Sequence, residues 1–276
     1  MDRFFASLIF FTRLPWWRLR SVPREAFEHV VDWWPFVGWL TGGVLAGVFI
    51  GAHSLGMPPV LAALLAIASR LLLTGALHED GLADFCDGFG GGSTRERTLS
   101  IMKDSHIGTY GVLGLIICLG LLWASLFSLS TSLLSPSPNF PLLSHFSLFS
   151  SPFFSLFSLL LLFDVTAKCA ASLITGQLPY ARTAETAKNQ VVYVGRSLSG
   201  WLSHGLRCVL ALSLPLALCV CCGCLQVVCI LPVPFLVEFL LMWWMHRRIG
   251  GYTGDCCGAL FLLCELSLYL AFFVVA

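Results

Sequence analysis

Charged side chains are scarce in this chain, and their scarcity excludes most soluble proteins. Only 11% of its 276 residues are Asp, Glu, Lys or Arg, against about a quarter in soluble domains. Hydrophobic residues make up 57%, and the mean hydropathy is +0.85. The net charge of +1 and the lack of a massed basic patch exclude an electrostatic nucleic-acid binder. The composition therefore predicts an all-α, polytopic integral membrane protein.

The sequence predicts no cleavable signal peptide and offers no second zinc-ligand pair. The first apolar stretch, residues 4–11, is too short to span a bilayer and is followed by arginines. Twelve cysteines are present, but most lie inside apolar runs, including the LCVCCGC run at residues 218–224. Its C-x-x-C spacings have no partner pair at zinc-finger distance, so we interpret these cysteines as apolar filling of a membrane span.

Apolar runs predict about seven transmembrane helices within a single membrane-embedded domain, residues 1–276. An interfacial segment over residues 1–32 precedes them, since phenylalanines are followed there by tryptophans and arginines. A low-complexity insertion of Ser, Leu, Phe and Pro covers about residues 127–160. The predicted spans are residues 33–51, 60–77, 110–129, 153–175, 206–222, 225–245 and 258–275.

One short stretch, residues 78–111, concentrates the acidic residues. If it begins as a helix, Asp80, Asp84 and Asp87 stand at i, i+4 and i+7 and form one carboxylate stripe. Like charges at that spacing repel, and a divalent cation would relieve the repulsion. Carboxylate oxygens suit Mg²⁺, Mn²⁺ or Ca²⁺, and Asp104 is a possible fourth ligand. A solvated acidic loop between two spans is the alternative.

The same stretch also carries features expected of an anion site. The glycines at positions 88 and 90–92 would supply flexible backbone whose N–H groups can approach an anion. Arg95, Arg97 and Lys103 would supply counter-charge. The stretch as a whole predicts a site for a metal and a diphosphate.

The distribution of basic residues predicts which connections share one side of the membrane. Residues 1–32, 78–109, 176–204 and 246–256 hold nearly all the Arg and Lys, so the positive-inside rule places them in the cytoplasm together with the N-terminus. The carboxylate stripe would then meet Asp255 and the basic side chains of the other connections, as an active site requires. Those side chains are Arg182, Lys188, Arg247 and Arg248.

Several ionisable residues fall inside predicted spans, where they are costly. Asp164 and Lys168 are four apart and predict an ion pair on one helix face. Arg70 is expected either to pair with an acid or to extend to the interface. Glu265 is expected either to serve the site or to pair with Arg70 or Lys168.

Five segments resemble the cobalamin synthases, also called adenosylcobinamide-GDP ribazoletransferases. They span nearly the whole chain and read FFTRLP (10–15), LLTGALHEDGLADFCDG (72–88), IMKDSHIGTYG (101–111), LPYAR (178–182) and GGYTGDCCGA (250–259). The chain departs from that family at Lys168, where arginine is usual, and after Arg182, where TAETAKNQ replaces a Gly-rich continuation.

The resemblance implies a Mg²⁺-dependent enzyme of the cell (inner) membrane that completes the cobalamin nucleotide loop. A hydroxyl of α-ribazole or its 5′-phosphate would attack adenosylcobinamide-GDP, giving adenosylcobalamin or its 5′-phosphate and GMP. Its partners would be these substrates and the bilayer, with a homo-oligomer or other corrinoid-pathway enzymes also possible.

On this hypothesis the acidic stripe binds one or two Mg²⁺, and Asp104 either completes the metal shell or acts as general base. Substrate binding would fall to residues of the basic connections and of the last span. These are Arg95, Arg97, Lys103, Ser105, Arg182, Arg247, Asp255 and Glu265.

Two other functions compete with this one. A CDP-alcohol phosphotransferase also uses Asp-rich membrane helices, but Asp84 occupies the position of an arginine in its usual pattern. A transporter could use the intramembrane residues Arg70, Glu238 and Glu265 as a pathway. A transporter has no need of a carboxylate stripe beside a Gly-rich run, and the chain shows no internal repeat.

Overall fold

The computed structural model describes residues 1–134, 151–182 and 196–275. These residues form twelve α-helices, two 3₁₀ segments and no strand beyond an isolated bridge. The helices are α1 (Asp2–Phe11), α2 (Trp34–Ser54), α3 (Pro59–Thr74), α4 (Leu77–Gly91), α5 (Arg95–Ile101), α6 (Thr109–Leu134), α7 (Pro152–Ser172), α8 (Ile174–Gln177), α9 (Leu198–Cys221), α10 (Val227–Ile230), α11 (Val233–Ile249) and α12 (Gly254–Val275). The all-α, polytopic prediction is confirmed.

Six helical stretches of the described residues are long and apolar enough to cross a membrane, and a bent pair brings the number to seven. The bent pair is α3 and α4, which meet at 90°. The predicted span at residues 60–77 therefore ends early, because Gly75 and Ala76 both adopt left-handed backbone, with φ of 65° and 56°. Such a φ is strained for Ala76, and it turns the chain sharply into the acidic helix α4.

Helices α7 and α12 form the centre of the bundle. In the apolar stretch of each helix, 89% of the residues are buried in α7 and 61% in α12. Only 22–28% are buried in α6, α9 and α11. The outward faces of these three helices carry exposed Leu, Val and Phe side chains. Such faces suit the hydrocarbon of a bilayer, so α6, α9 and α11 are peripheral.

The N-terminal segment is packed more deeply than the sequence predicts. Helix α1 places Ala6, Leu8 and Phe11 in the main hydrophobic core, and the backbone N–H of Arg13 donates to Leu73 O at the end of α3 (2.7 Å). Trp17 keeps the exposure expected of an interfacial residue, at 56%. The segment is therefore part of the bundle.

Only the ends of the low-complexity insertion fall within the described residues. Residues 127–134 continue α6, and residues 152–160 begin α7. Pro136, Pro138 and Pro141 of the insertion lie outside the described residues, as does Lys188.

Candidate functional site

Four connections meet at one end of the bundle, as predicted. The LPYAR segment and the GGYTGD segment form a parallel bridge in which Ala181 N donates to Tyr252 O (2.8 Å) and Tyr252 N donates to Pro179 O (3.0 Å). The Arg182 guanidinium donates a hydrogen bond to the backbone oxygen of Leu99 in α5 (3.1 Å). The predicted convergence of the acidic, LPYAR and TGD segments on one face is therefore confirmed.

Two glycines bring the acidic helix against the start of α12. A Cβ on Gly81 would lie 2.8 Å from Asp255 O, and a Cβ on Gly258 would lie 2.9 Å from His78 O. Only glycine allows the two backbones to approach this closely. Because Asp80 precedes Gly81, the crossing brings Asp80 and Asp255 into one cavity.

This cavity, which we call the α4–α12 cavity, has a volume of about 150 Å³. Its polar lining residues are Asp80, Asp255, Arg182, Tyr180 and His78. Its apolar lining residues include Phe10, Phe11, Val31, Trp34 and Leu77. Since ligand pockets usually enclose about 300–1,000 Å³, this cavity suits the reacting groups of a large substrate rather than the whole molecule.

The cavity is lined by residues of both charge signs. Arg182 supplies a fixed positive charge, whereas Asp80 and Asp255 supply carboxylate oxygens. Burial raises the pKa of Tyr180 to about 12, and the neighbouring Cys257 and Asp255 add to the rise. The Tyr180 hydroxyl therefore stays protonated near neutral pH and remains a hydrogen-bond donor.

The third aspartate of the stripe lies in a different environment. Asp87 is only 7% exposed, and its carboxylate accepts hydrogen bonds from Gly108 N (2.7 Å) and Gly111 N (2.8 Å). It lines a second, more open cavity with Arg97 and Asp104. Asp84 is half-buried on the same helix, between Asp80 and Asp87.

Asp104 is exposed and holds a local turn. Its Oδ1 accepts from His106 N (3.0 Å) and lies 2.7 Å from His106 Nδ1. These hydrogen bonds lower the pKa of Asp104.

The predicted four-aspartate metal centre is not assembled as one cluster. Within residues 1–134, 151–182 and 196–275, no three Asp, Glu, His or Cys side chains are grouped so as to hold a metal ion. Mg²⁺ is commonly held by one or two carboxylates plus substrate phosphates, and Asp80 and Asp255 supply two carboxylates in one cavity. These donors fit Mg²⁺ bound together with a diphosphate, so Mg²⁺ binding stays a prediction.

Like Arg182, two more of the predicted anion-binding arginines form contacts within the protein. Arg95 donates to Ile249 O (2.8 Å) and to Ala181 O (3.1 Å), and the Arg247 guanidinium lies 4.6 Å from the Trp243 ring centroid. Lys103 and Ser105 are exposed in the turn before α6. Of Arg95, Arg97 and Lys103, only Arg97 lines one of the two cavities described above.

The Gly-rich run is helical and packed, which corrects the expectation of a flexible anion-binding loop. Residues 88 to 91 belong to α4. A Cβ on Gly90 would lie 2.7 Å from the Tyr110 ring, and a Cβ on Gly88 would overlap Met102. These glycines let α5 and α6 pack closely against α4.

A buried ion network lies beneath the α4–α12 cavity. Arg70 pairs with Glu265 and lies 3.6 Å from Asp164, which also pairs with Lys168. The predicted Asp164–Lys168 pair is confirmed. Glu265 is 1% exposed, so its position agrees with the predicted pairing alternative rather than with direct substrate contact.

Several cavity residues were not predicted as site residues. Phe10, Phe11, Trp34, His78 and Tyr180 line the α4–α12 cavity, and the rings of Phe11, Trp34 and His78 are nearly parallel. Phe10, Phe11, His78 and Tyr180 belong to three of the segments on which the family resemblance rests. These four residues could have been predicted because they lie in those segments. Nothing in the sequence marked Trp34 as a cavity residue.

Comparisons with known proteins agree along the whole chain. The family model for cobalamin-5-phosphate synthase matches residues 3–273. An adenosylcobinamide-GDP ribazoletransferase from Leptothrix cholodnii is 37% identical over 274 residues, which cover 97% of this chain and 93% of that protein. Proteins of the same name from Shewanella piezotolerans and Vibrio parahaemolyticus are each 33% identical, covering 100% and 98% of this chain and 96% and 91% of their own. No solved structure matches the chain.

Proposed function

Because the chain belongs to the cobalamin-5-phosphate synthase family, we propose that it is an adenosylcobinamide-GDP ribazoletransferase acting at the α4–α12 cavity. We locate the active site there because Asp80, Asp255 and Arg182 all line that cavity. Membership of this family argues against the CDP-alcohol phosphotransferase and the transporter. The substrates are adenosylcobinamide-GDP and α-ribazole or its 5′-phosphate.

The reaction is a displacement at phosphorus. A ribazole hydroxyl oxygen forms a bond to the phosphorus nearest cobinamide, and the bond from that phosphorus to the bridging oxygen breaks. GMP leaves with the bridging oxygen, and the hydroxyl proton passes to solvent. Such transfers depend mainly on positioning and on stabilising negative charge.

The cavity residues divide this work. Arg182 binds phosphate oxygens, and the protonated Tyr180 hydroxyl donates a hydrogen bond toward them. The apolar side of the cavity limits the access of water, which would otherwise compete with the ribazole hydroxyl. Asp80 and Asp255 would hold Mg²⁺, which when bound neutralises diphosphate charge and makes GMP a better leaving group.

The membrane side of the site follows from charge. The connections that form it carry nearly all of the chain's Arg and Lys, so we place the site and the N-terminus in the cytoplasm. The inner membrane as the location rests on the family resemblance. On this arrangement the polar parts of the substrate need not enter the bilayer, because the cavity lies at the end of the bundle where these connections meet.

Sealed vesicles test the reaction, the metal and the orientation together. Inverted membrane vesicles bearing the protein should convert adenosylcobinamide-GDP and α-ribazole into a cobalamin product and GMP, detected by mass spectrometry, with Mg²⁺ but not with EDTA. Right-side-out vesicles should form product only after permeabilisation, because the site would face their interior. Absence of product in both, even after permeabilisation with Mg²⁺, would contradict the function, whereas product from intact right-side-out vesicles would contradict only the orientation.

A further inference from the structure

Asp87 differs from Asp80 in that its carboxylate accepts hydrogen bonds from backbone N–H groups. One oxygen accepts from Gly108 N and the other from Gly111 N, at 2.7 and 2.8 Å. These amides lie at the N-terminus of the 26-residue helix α6, where N–H groups lack helical partners and negative charge is favoured. A residue of α4 thus caps a different helix.

The surrounding glycines leave the space that this carboxylate occupies, because a side chain at either position would overlap it. A Cβ on Gly108 would lie 2.5 Å from Asp87 Oδ1, and its three nearest atoms would all belong to Asp87. A Cβ on Gly111 would overlap Asp87 Oδ2. One turn further, a Cβ on Gly114 would lie 2.5 Å from Cys86 Sγ. Helices α4 and α6 therefore fit together along one face, with the Asp87 carboxylate enclosed at its end.

We propose that Asp87 is a positioning residue that fixes the KDSHI turn, residues 103–107, against α4, rather than a metal ligand. Both of its oxygens already accept hydrogen bonds from backbone N–H groups, and the side chain is only 7% exposed, so a Mg²⁺ ion would have to displace those hydrogen bonds to bind it. By holding the start of α6, it keeps Asp104 and Arg97 along one cavity. The catalytic part of this inference rests on the proposed function.

A double-mutant cycle tests the contact without any substrate. Gly108→Ala should lower the unfolding midpoint of the purified protein clearly, because the new methyl group overlaps Asp87. In an Asp87→Ala background the same change should cost much less, since the overlapping atoms are gone. Gly120→Ala is the matched control, because a Cβ there meets nothing within 4 Å on the same helix. Equal costs of Gly108→Ala in both backgrounds would overturn the proposed contact.

Kinetics of the folded protein test the role. Asp87→Asn keeps one acceptor oxygen and should lower kcat roughly ten- to hundredfold, with Mg²⁺ half-saturation and the substrate KM changed by no more than about twofold. A purely structural role would leave kcat per folded molecule unchanged, and a metal ligand would raise Mg²⁺ half-saturation at least about tenfold. Either result would overturn the proposal. Should wild type make no cobalamin, the proposed function fails, while the unfolding cycle still tests the contact.

Discussion

At the scale of single residues, spacing predicted helix faces but not the partners of each side chain. Asp80, Asp84 and Asp87 do lie on one helix, yet Asp80 faces a cavity shared with α12, whereas Asp87 caps α6. Helical periodicity contains no information about which neighbour packs against each turn. The pair Asp164–Lys168 was predictable because both members lie on the same helix.

The buried network gives a prediction at this scale. Arg70→Met removes the partner of Glu265 and leaves that carboxylate unpaired, so it should lower the free energy of unfolding by about 3–5 kcal/mol. The double variant Arg70→Met/Glu265→Met should lose less than the single one, because neither charge is then left alone. The measurement is the midpoint of SDS-induced unfolding in mixed micelles. A double variant less stable than Arg70→Met would contradict the assignment.

At the scale of helices, hydropathy located the spans well, while the close contacts between them were not predictable. The sequence placed a span at residues 153–175, and α7 covers Pro152–Ser172. The glycine run at positions 88 and 90–92 suggested flexible backbone, but Gly88 and Gly90 instead allow helices to touch, as Gly81 does outside that run. Flexibility and close packing both favour glycine, so composition alone does not separate them.

The contact between α4 and α12 gives the second prediction. In Gly81→Ala the new Cβ would meet Asp255 O at 2.8 Å, which is backbone and has little freedom to move. The helices must separate, so the distance between Asp80 and Asp255 changes and kcat should fall about 10²-fold. Gly47→Ala on α2 meets nothing within 4 Å and should keep wild-type turnover. Equal activity of the two variants would show that this crossing does not position the site.

At the scale of the whole molecule, the number of spans and the shared face were predictable because both depend on properties distributed over the chain. Apolar length sets the spans, and the alternation of charged and uncharged connections sets which ends meet. The 90° bend between α3 and α4 was not predictable, since Gly75 looks like the end of an ordinary span. That bend is what turns the acidic helix toward α12.

The central claim is that phosphoryl transfer takes place in the α4–α12 cavity, and Asp80→Asn tests it most directly. Asp80 is exposed, so the variant should fold with an unchanged unfolding midpoint while kcat/KM for adenosylcobinamide-GDP falls roughly 10²–10³-fold. Glu96→Gln, another exposed carboxylate on the same face that lines neither described cavity, should keep the wild-type rate. Wild-type kcat/KM in folded Asp80→Asn would contradict the account.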